Sequence, residues 1–214
     1  MTDVRIKGAY KALPPYCRST KEILPVVPRW LQGEPERLIR KAVKIFEGAG
    51  VDYRYGIIDV EEVFTQTCFE AKNQIYIQEA KRLGASVLRS ALETSGWDPG
   101  SLDYLITVSC TGIMIPSLDA YLINALSLRN DVCRLPVTEM GCAAGISGLI
   151  YAYHFLKANP GKRAAIIAVE SPAATFQYTD HSMANIISAA IFGDGASCVL
   201  MSSEPEADGP RVLG

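Results

Sequence analysis

The stretch GCAAGISGLIYAYHFLKANPGKRAAIIAVES, residues 141–171, joins a helix-length apolar segment to a strand-length one. Residues 145–158 (GISGLIYAYHFLKA) are apolar nearly all round, which predicts a helix that is buried on all sides. Residues 164–171 (AAIIAVES) form a short, continuous apolar run, which is typical of a strand that is buried on both faces. The stretch therefore predicts a sheet with helices packed against it.

The same alternation continues on either side of this stretch. Residues 104–110 (YLITVSC) and 197–203 (SCVLMSS) predict two more buried strands, and residues 117–128 and 182–192 predict two more helices. Continuously apolar strands that alternate with helices indicate a mainly parallel sheet covered by helices. The fold class expected from about residue 100 onward is therefore α/β.

The first half of the chain has a different character. Residues 1–33 contain four prolines and predict an irregular arm that ends in a short helical turn. Apolar residues at helical spacing predict one helix within residues 34–50 and a long helix over residues 70–93. We therefore expect an arm (1–33), one domain (34–204) and a linker-like tail (205–214).

Bulk composition limits the possible partners. The 214 residues carry a net charge of −2 with no block of like charge, which argues against nucleic acid or an anionic membrane as the main partner. No apolar run has the length of a signal peptide or a membrane span, so we expect a cytoplasmic protein.

The cysteines do not form a metal or disulfide pattern. There are six cysteines, none in a C-x-x-C pair, and only two histidines. Zinc and a disulfide framework are therefore not expected, and at most one or two cysteines should have a chemical role.

Cys142 is the strongest candidate for such a role. It lies among glycine, alanine and serine in residues 138–148 (TEMGCAAGISG), just before the apolar helix. Composition alone balances a small packing residue against a nucleophile whose thiolate is favoured by the unpaired N–H groups of a helix start. A helix terminus contributes roughly 0.3–1 kcal/mol, so a catalytic thiol also needs a base or cation, usually a histidine. His154 follows twelve residues later on the same helix and His181 lies in a polar loop, so neither is expected to serve.

Three other segments have both a functional and a purely structural interpretation. Residues 192–197 (FGDGAS) form either a phosphate-cradling loop or a tight helix-to-strand turn, and the turn is favoured because no Walker lysine accompanies them. Cys110 and Thr111 follow a strand, where they either line a ligand pocket or pack at the strand end. Lys41 and Lys44 form a basic helix edge that is either solvated or binds phosphate.

Taken together, these motifs resemble those of the type III polyketide synthases, the chalcone and stilbene synthase family of the thiolase superfamily. The resemblance extends over essentially the whole chain and is carried by ALPPY, WDPGSLDYLITVSCTG, PSLDAYLINAL, DVCRLPVTEMGCAAGISGL, AIIAVES and IFGDGASCVLMSSEP. It implies the N-terminal half of an αβαβα layered thiolase fold.

The resemblance also implies roles for individual residues. Cys142 matches the nucleophile that carries the acyl chain as a thioester, and Phe192 matches the gatekeeper between the coenzyme A tunnel and the cavity. Ile115 matches a loop residue that reaches into the partner subunit, which implies a homodimer. The remaining matches are to cavity-lining positions, namely Cys110, Thr111, Glu170, Thr175 and Ser188, and to positions that meet the coenzyme A phosphates, namely Lys41 and Lys44.

The reaction implied is a decarboxylative Claisen condensation of malonyl-CoA onto a cysteine-bound acyl starter, with no metal or redox cofactor. The family's histidine and asparagine lie in a second half that these residues do not include, so the isolated chain is expected to be inactive. Pro172 stands where plant enzymes often have threonine, so aromatic starters are not implied. The small Cys110 and Ser188 leave cavity room, from which we expect a fatty acyl starter and alkylpyrone- or alkylresorcinol-type products.

Two alternatives remain at the level of the sequence. A ketoacyl synthase of the type that initiates fatty-acid synthesis shares FGDGA and a reactive cysteine, but ALPPYCRS and TEMGC argue against it. In the second alternative, the chain is a non-catalytic half-domain that only dimerises or pairs with a separate second half.

Overall fold

The computed structural model describes residues 3–63 and 68–213. The secondary structure of these residues, numbered in chain order, consists of the strands Arg5–Ala12 (β1), Tyr16–Ser19 (β2), Tyr53–Gly56 (β3), Tyr104–Val108 (β4), Cys133–Val137 (β5), Arg163–Glu170 (β6) and Gly195–Ser202 (β7) and the helices Thr20–Ile23 (α1), Val26–Trp30 (α2), Glu36–Gly48 (α3), Val60–Val63 (α4), Phe69–Ser95 (α5), Leu118–Ala125 (α6), Ala144–Ala158 (α7) and Met183–Ile191 (α8). Within these ranges, no helix combines the length and the apolar character needed to cross a membrane.

The chain forms two compact units. The first consists of residues 1–12, 77–170 and 196–214, and contains a five-stranded sheet in the order β1-β7-β6-β4-β5. Strand β4 pairs in parallel with both β5 and β6, whereas β1 pairs antiparallel with β7. The predicted α/β class with a mainly parallel central part is therefore confirmed.

Helix α7 packs on this sheet through a row of small residues. Ala144, Gly148 and Ala152 follow one another at four-residue spacing and are buried with Leu156 against the sheet. A Cβ atom on Gly148 would lie only 2.9 Å from Cγ2 of Ile166 in β6. The absence of a side chain at residue 148 thus sets how closely the helix approaches the strand.

The second unit consists of residues 13–76 and 171–195. It contains the two-stranded antiparallel sheet of β2 and β3, helices α1 to α4 and α8, and the first residues of α5. A core cluster that includes Trp30, Leu31, Phe46 and Ile186 joins α2, α3 and α8. In this unit, the predicted helix within residues 34–50 is observed as α3, which ends at Gly48.

Three expectations from the sequence need correction. Residues 5–12 of the predicted irregular arm form β1, because the prolines of the arm begin only at residue 14 and the residues before them alternate between apolar and polar. Residues 133–137 form a strand that was not predicted, and Pro136 is tolerated there because β5 lies at the edge of the sheet. Helix α7 is not buried on all sides, since Ile146 is 64% exposed and Ile150 and Tyr151 are exposed beside it.

The tail that was predicted as a linker lies against β1. Backbone hydrogen bonds join the N–H of Val212 to the carbonyl of Val4 and the N–H of Ile6 to the carbonyl of Pro210. Lys7 and Asp208 form an ion pair at 2.5 Å beside them. The predicted division into arm, domain and linker remains a prediction, and the two compact units do not follow its boundaries.

Candidate active site

Cys142 lies in a sharp turn between a strand and a helix. Strand β5 ends at Val137, a 3₁₀ turn spans Gly141–Ala143, and α7 begins at Ala144. Two residues of this turn have left-handed backbone conformations, with φ of 63° at Glu139 and 57° at Gly141. Glycine adopts that conformation freely, whereas a glutamate rarely does.

This turn exposes the thiol at the start of a helix. Cys142 is solvent-exposed, and it directly precedes the first turn of α7. The N-terminal end of a helix carries a partial positive charge, which suits a reaction in which negative charge develops. The placement predicted from the sequence is therefore the one observed.

The ends of three neighbouring parallel strands meet at this site. The N–H of Ser109, just after β4, donates to the carbonyl of Val137 at the end of β5, at 3.2 Å. On the other side of β4, the carboxylate of Glu170 at the end of β6 accepts hydrogen bonds from the N–H of Cys110 at 3.0 Å and from Oγ1 of Thr111 at 2.8 Å. Ligands in parallel sheets bind at this edge.

The two thiols at these strand ends have different surroundings. The pKa of the Cys110 thiol is raised, first by burial, then by the charge of Glu170 and its hydrogen bond, and last by the charge of Cys142. The raised pKa favours the protonated form of the Cys110 thiol. Cys142 lies close enough for its charge to contribute to this shift. Three predicted residues, Cys110, Thr111 and Glu170, thus lie with Cys142 at one edge of one sheet.

The two histidines have different surroundings. His154 is twelve residues from Cys142, about 18 Å at the 1.5 Å per residue of a helix, so it does not contact the thiol. His181 belongs to the other compact unit, where its Nδ1 lies 2.7 Å from Oε1 of Glu34 and its ring meets the edge of Trp30. The expectation that His181 does not activate Cys142 remains a prediction.

The remaining predicted residues belong to other elements of the structure. Ile115, in the loop before α6, is 91% exposed. The others lie in the second compact unit: Lys41 and Lys44 on the exposed face of α3, Thr175 after a 3₁₀ turn, Ser188 on α8, and Phe192 at the C-terminal end of α8. Their predicted roles remain predictions.

Sequence analysis missed several buried charges. Arg54 and Asp194 are only 8% and 5% exposed in the second unit, and Asp119 is fully buried in the first unit, where Arg134 lies 3.0 Å away. Asp194 lies within FGDG, where only the glycines drew attention, and Arg54 is flanked by two tyrosines on β3. Over residues 3–63 and 68–213, no group of three or more His, Cys, Asp or Glu side chains is arranged to hold a metal ion.

Comparison with known proteins agrees with this arrangement. Residues 58–205 match the family described as "Chalcone and stilbene synthases, N-terminal domain". The chain is 30% identical over 193 residues to a 1,3,6,8-tetrahydroxynaphthalene synthase of Streptomyces griseus, covering 90% of this chain and 51% of that protein. It is 29% identical over 171 residues to a phloroglucinol synthase of Pseudomonas fluorescens, covering 80% and 49%.

The fold is similar to that of a solved bacterial type III polyketide synthase, the 1,3,6,8-tetrahydroxynaphthalene synthase of Streptomyces coelicolor. The TM-score is 0.89 at 29% identity, over 98% of this chain and 58% of the other. The chain therefore has the thiolase-like fold of these enzymes, and it spans about half the length of the curated relatives it matches. The matched segment and the shared fold show that the chain belongs to the chalcone and stilbene synthase family and carries that family's N-terminal domain.

Proposed function

We propose that this chain supplies the nucleophile of a type III polyketide synthase that condenses malonyl-CoA with an acyl starter. The observation that carries the proposal is the exposed Cys142 thiol at the start of α7, beside the polar ends of parallel strands. The proposed enzyme is cytoplasmic and acts on coenzyme A thioesters without a metal or redox cofactor.

In the first step, the Cys142 thiolate attacks the carbonyl carbon of an acyl-CoA thioester. A new C–S bond forms to Cys142, the bond to the coenzyme A sulfur breaks, and the released thiolate takes up a proton from solvent. The free N–H groups at the start of α7 are suited to stabilising the oxyanion of the tetrahedral intermediate. Lys41 and Lys44, both exposed on α3, are proposed to bind the coenzyme A phosphates, and Phe192 is proposed to guard the entrance.

In the second step, malonyl-CoA loses carbon dioxide and the resulting enolate attacks the acyl thioester. This step needs groups that stabilise the enolate oxygen, and we propose that a histidine and an asparagine outside residues 1–214 provide them. The exposed apolar side chains of Ile146, Ile150 and Tyr151 on α7 form a surface suited to contact with that further segment.

We also propose which acyl starter the enzyme uses and that it assembles as a homodimer. Cys110 and Ser188 are small, which favours a roomy cavity and a fatty acyl starter that yields alkylpyrone- or alkylresorcinol-type products. Ile115 exposes 91% of its surface, which suits an apolar contact with a second copy of the chain in a homodimer.

Acylation of the chain tests the nucleophile directly. The chain, extended by the C-terminal half of a relative so that a histidine can activate the thiol, is incubated with hexanoyl-CoA or dodecanoyl-CoA, and the adduct is located by intact mass and peptide mapping. We expect one acyl group on Cys142, lost in Cys142→Ala and kept in the matched control Cys110→Ala. An adduct that survives Cys142→Ala would refute the assignment.

Condensation is tested separately with malonyl-CoA and product mass spectrometry. We expect no triketide from the 214 residues alone, and pyrones or resorcinols from a chain extended by a C-terminal half of a relative. Failure of the extended chain to use long-chain starters, with short ones accepted, would rule out the fatty acyl proposal only.

A further inference from the structure

Arg54 is a buried charge that contacts backbone instead of a carboxylate. Its guanidinium donates to the carbonyl of Ala190 through Nε at 3.0 Å and through a second nitrogen, and to Oγ1 of Thr20 at 2.7 Å. It also lies 5.5 Å from the centre of the Phe46 ring. The carbonyl of Ala190 is one of the last four of α8, which have no partner within the helix.

Asp194 follows the C-terminal end of α8 and is hydrogen-bonded to the same strand, β3. Its N–H donates to the carbonyl of Tyr55 at 2.8 Å. One carboxylate oxygen accepts from the N–H of Ile57 at 2.8 Å, and the other accepts from the N–H of Ala173 at 3.0 Å. Arg54 and Asp194 thus tie residues 190 and 194 to β3 and the residue that follows it.

Only three residues separate these two anchor points, and Phe192 is the central one. Its N–H donates to the carbonyl of Ser188 at 3.0 Å, while its side chain is exposed. The next residue, Gly193, passes so close to β3 that an added Cβ atom would lie 3.4 Å from the backbone N and O of Tyr55. The backbone around Phe192 is therefore fixed on both sides, whereas the residue itself is 44% exposed.

We propose that Arg54 and Asp194 are positioning residues that hold the Phe192 side chain in one place by anchoring the backbone before and after it to β3. Two charged side chains are buried here, and buried charges are costly unless they are fully hydrogen-bonded. Arg54 directs two of its nitrogens at the carbonyl of Ala190, and the carboxylate of Asp194 holds residue 194 in place, on either side of a single exposed aromatic residue. The functional consequence, efficient transfer of an acyl group from coenzyme A, rests on the proposed function, whereas the positioning itself does not.

The two-stranded sheet provides a matched control. Arg18 is the direct cross-strand partner of Arg54 in the β2–β3 pair, and its guanidinium contacts Asp59 at 2.6 Å. Arg18→Met therefore makes the same chemical change in the same sheet without removing a contact to the α8 terminus. Arg54→Lys serves as the conservative variant, because it keeps the charge and a donor that can reach the Ala190 carbonyl.

The test places 4-fluorophenylalanine at position 192 and records its fluorine NMR line in the parent chain and in the three arginine variants. We expect one narrow line in the parent and in Arg18→Met. In Arg54→Met we expect a line about twice as broad, or split in two, because the ring samples more than one position. Arg54→Lys should restore most of the narrow line, which a general loss of stability would not predict.

A second measurement uses the chain extended by the C-terminal half of a relative. It follows acylation of Cys142 by acyl-CoA and its alkylation by iodoacetamide, a reagent too small to need Phe192. Arg54→Met should lower the acylation rate at saturating acyl-CoA about tenfold, since a misplacement of about 1 Å can cost up to about a hundredfold. The alkylation rate should not change.

The outcomes separate the two proposals. A changed fluorine line with no acylation of any variant or of the parent would refute the proposed function and leave the positioning role in place. An unchanged fluorine line in folded Arg54→Met would overturn the positioning role, whatever acylation does. If Arg54→Met does not fold, the same decision falls to Asp194→Asn, which removes one of the two carboxylate acceptors at the second anchor point and must give a broader line than Arg18→Met.

Discussion

Replacing Gly148 with alanine tests how tightly α7 is packed on the sheet below the nucleophile. The added Cβ atom would lie 2.9 Å from Cγ2 of Ile166 and 3.5 and 3.6 Å from methyl groups of Val108 and Ile106. Optimal contact between carbon atoms is roughly 3.5–4.0 Å, so one of the three contacts is too short by more than half an ångström. Relief requires the helix to move away from a buried strand.

The net effect has two opposing parts. Overpacking a well-filled core costs about 1–3 kcal/mol. Alanine in place of glycine inside a helix contributes about 0.5–1 kcal/mol in the opposite direction. We therefore expect Gly148→Ala to lower the free energy of unfolding by about 1–2 kcal/mol, equivalent to a fall of about 3–6 °C in Tm for a chain of this size.

Gly145→Ala is the matched control, because it makes the same substitution in the same helix with no atom within 4 Å of the added Cβ. Urea unfolding followed by circular dichroism should show Gly148→Ala below the parent and Gly145→Ala at or slightly above it, with equal m-values. A Gly148→Ala variant as stable as Gly145→Ala would refute the inferred close approach of α7 to β6.

Three further predictions concern charged groups. Burial raises the pKa of Asp194 to about 6 from an ordinary value of 3.8, so its contribution to stability is full below about pH 4 and is lost as the pH rises through 6. Relative to Asp194→Asn, the parent's free energy of unfolding should therefore fall by about 3 kcal/mol between pH 4 and 7 in urea titrations, and parallel pH profiles would contradict this. Arg134→Met should destabilise the chain by about 2 kcal/mol because it leaves the buried carboxylate of Asp119 unpaired, and the double variant with Asp119→Asn should recover part of that loss in thermal unfolding; strict additivity would contradict the pairing. Glu170→Gln should speed alkylation of Cys110 at pH 8, measured by peptide mapping, because it removes a charge that raises the pKa of that thiol; an unchanged rate would mean that burial alone protects it.

Local pattern was sufficient for the elements whose burial follows from their own sequence. The long helix predicted over residues 70–93 is observed as Phe69–Ser95, and the strand predicted over residues 164–171 as Arg163–Glu170. The helix segment has an apolar pattern with a helical period, and the strand segment is a continuous apolar run; turn residues bound both of them. In such segments tertiary structure only reinforces what the sequence already favours.

The predictions that were wrong concern segments whose structure depends on residues far away in the sequence. Residues 5–12 become a strand because residues 196–202, nearly two hundred positions away, offer an antiparallel partner. Helix α7 looked suited to full burial from its composition, yet its small residues face the sheet and Ile146 is left exposed. The sequence pattern shows that a helix is apolar, but it does not show how many of the helix's faces pack against other elements.

The candidate site shows the same limit for chemistry. Glycine and alanine around Cys142 suggested a strand-to-helix turn, and that turn is observed. The hydrogen bonds from Cys110 and Thr111 to Glu170 join residues about sixty positions apart, so no local motif could reveal them. Arg54 and Ala190 are separated by 136 positions and were missed for the same reason.

The surroundings of Cys110 limit its competition with Cys142, the proposed nucleophile. Thiolates, and not thiols, attack thioesters. Cys110 and Cys142 are both solvent-exposed, but partial desolvation and the carboxylate of Glu170 raise the pKa of Cys110 and suppress its thiolate. In the proposed reaction, the carboxylate that accepts hydrogen bonds from the loop after β4 therefore also disfavours acylation of Cys110. Glu170→Gln should produce a detectable acyl adduct on Cys110 at high pH, and its absence after long incubation would show that access, not charge, selects the thiol.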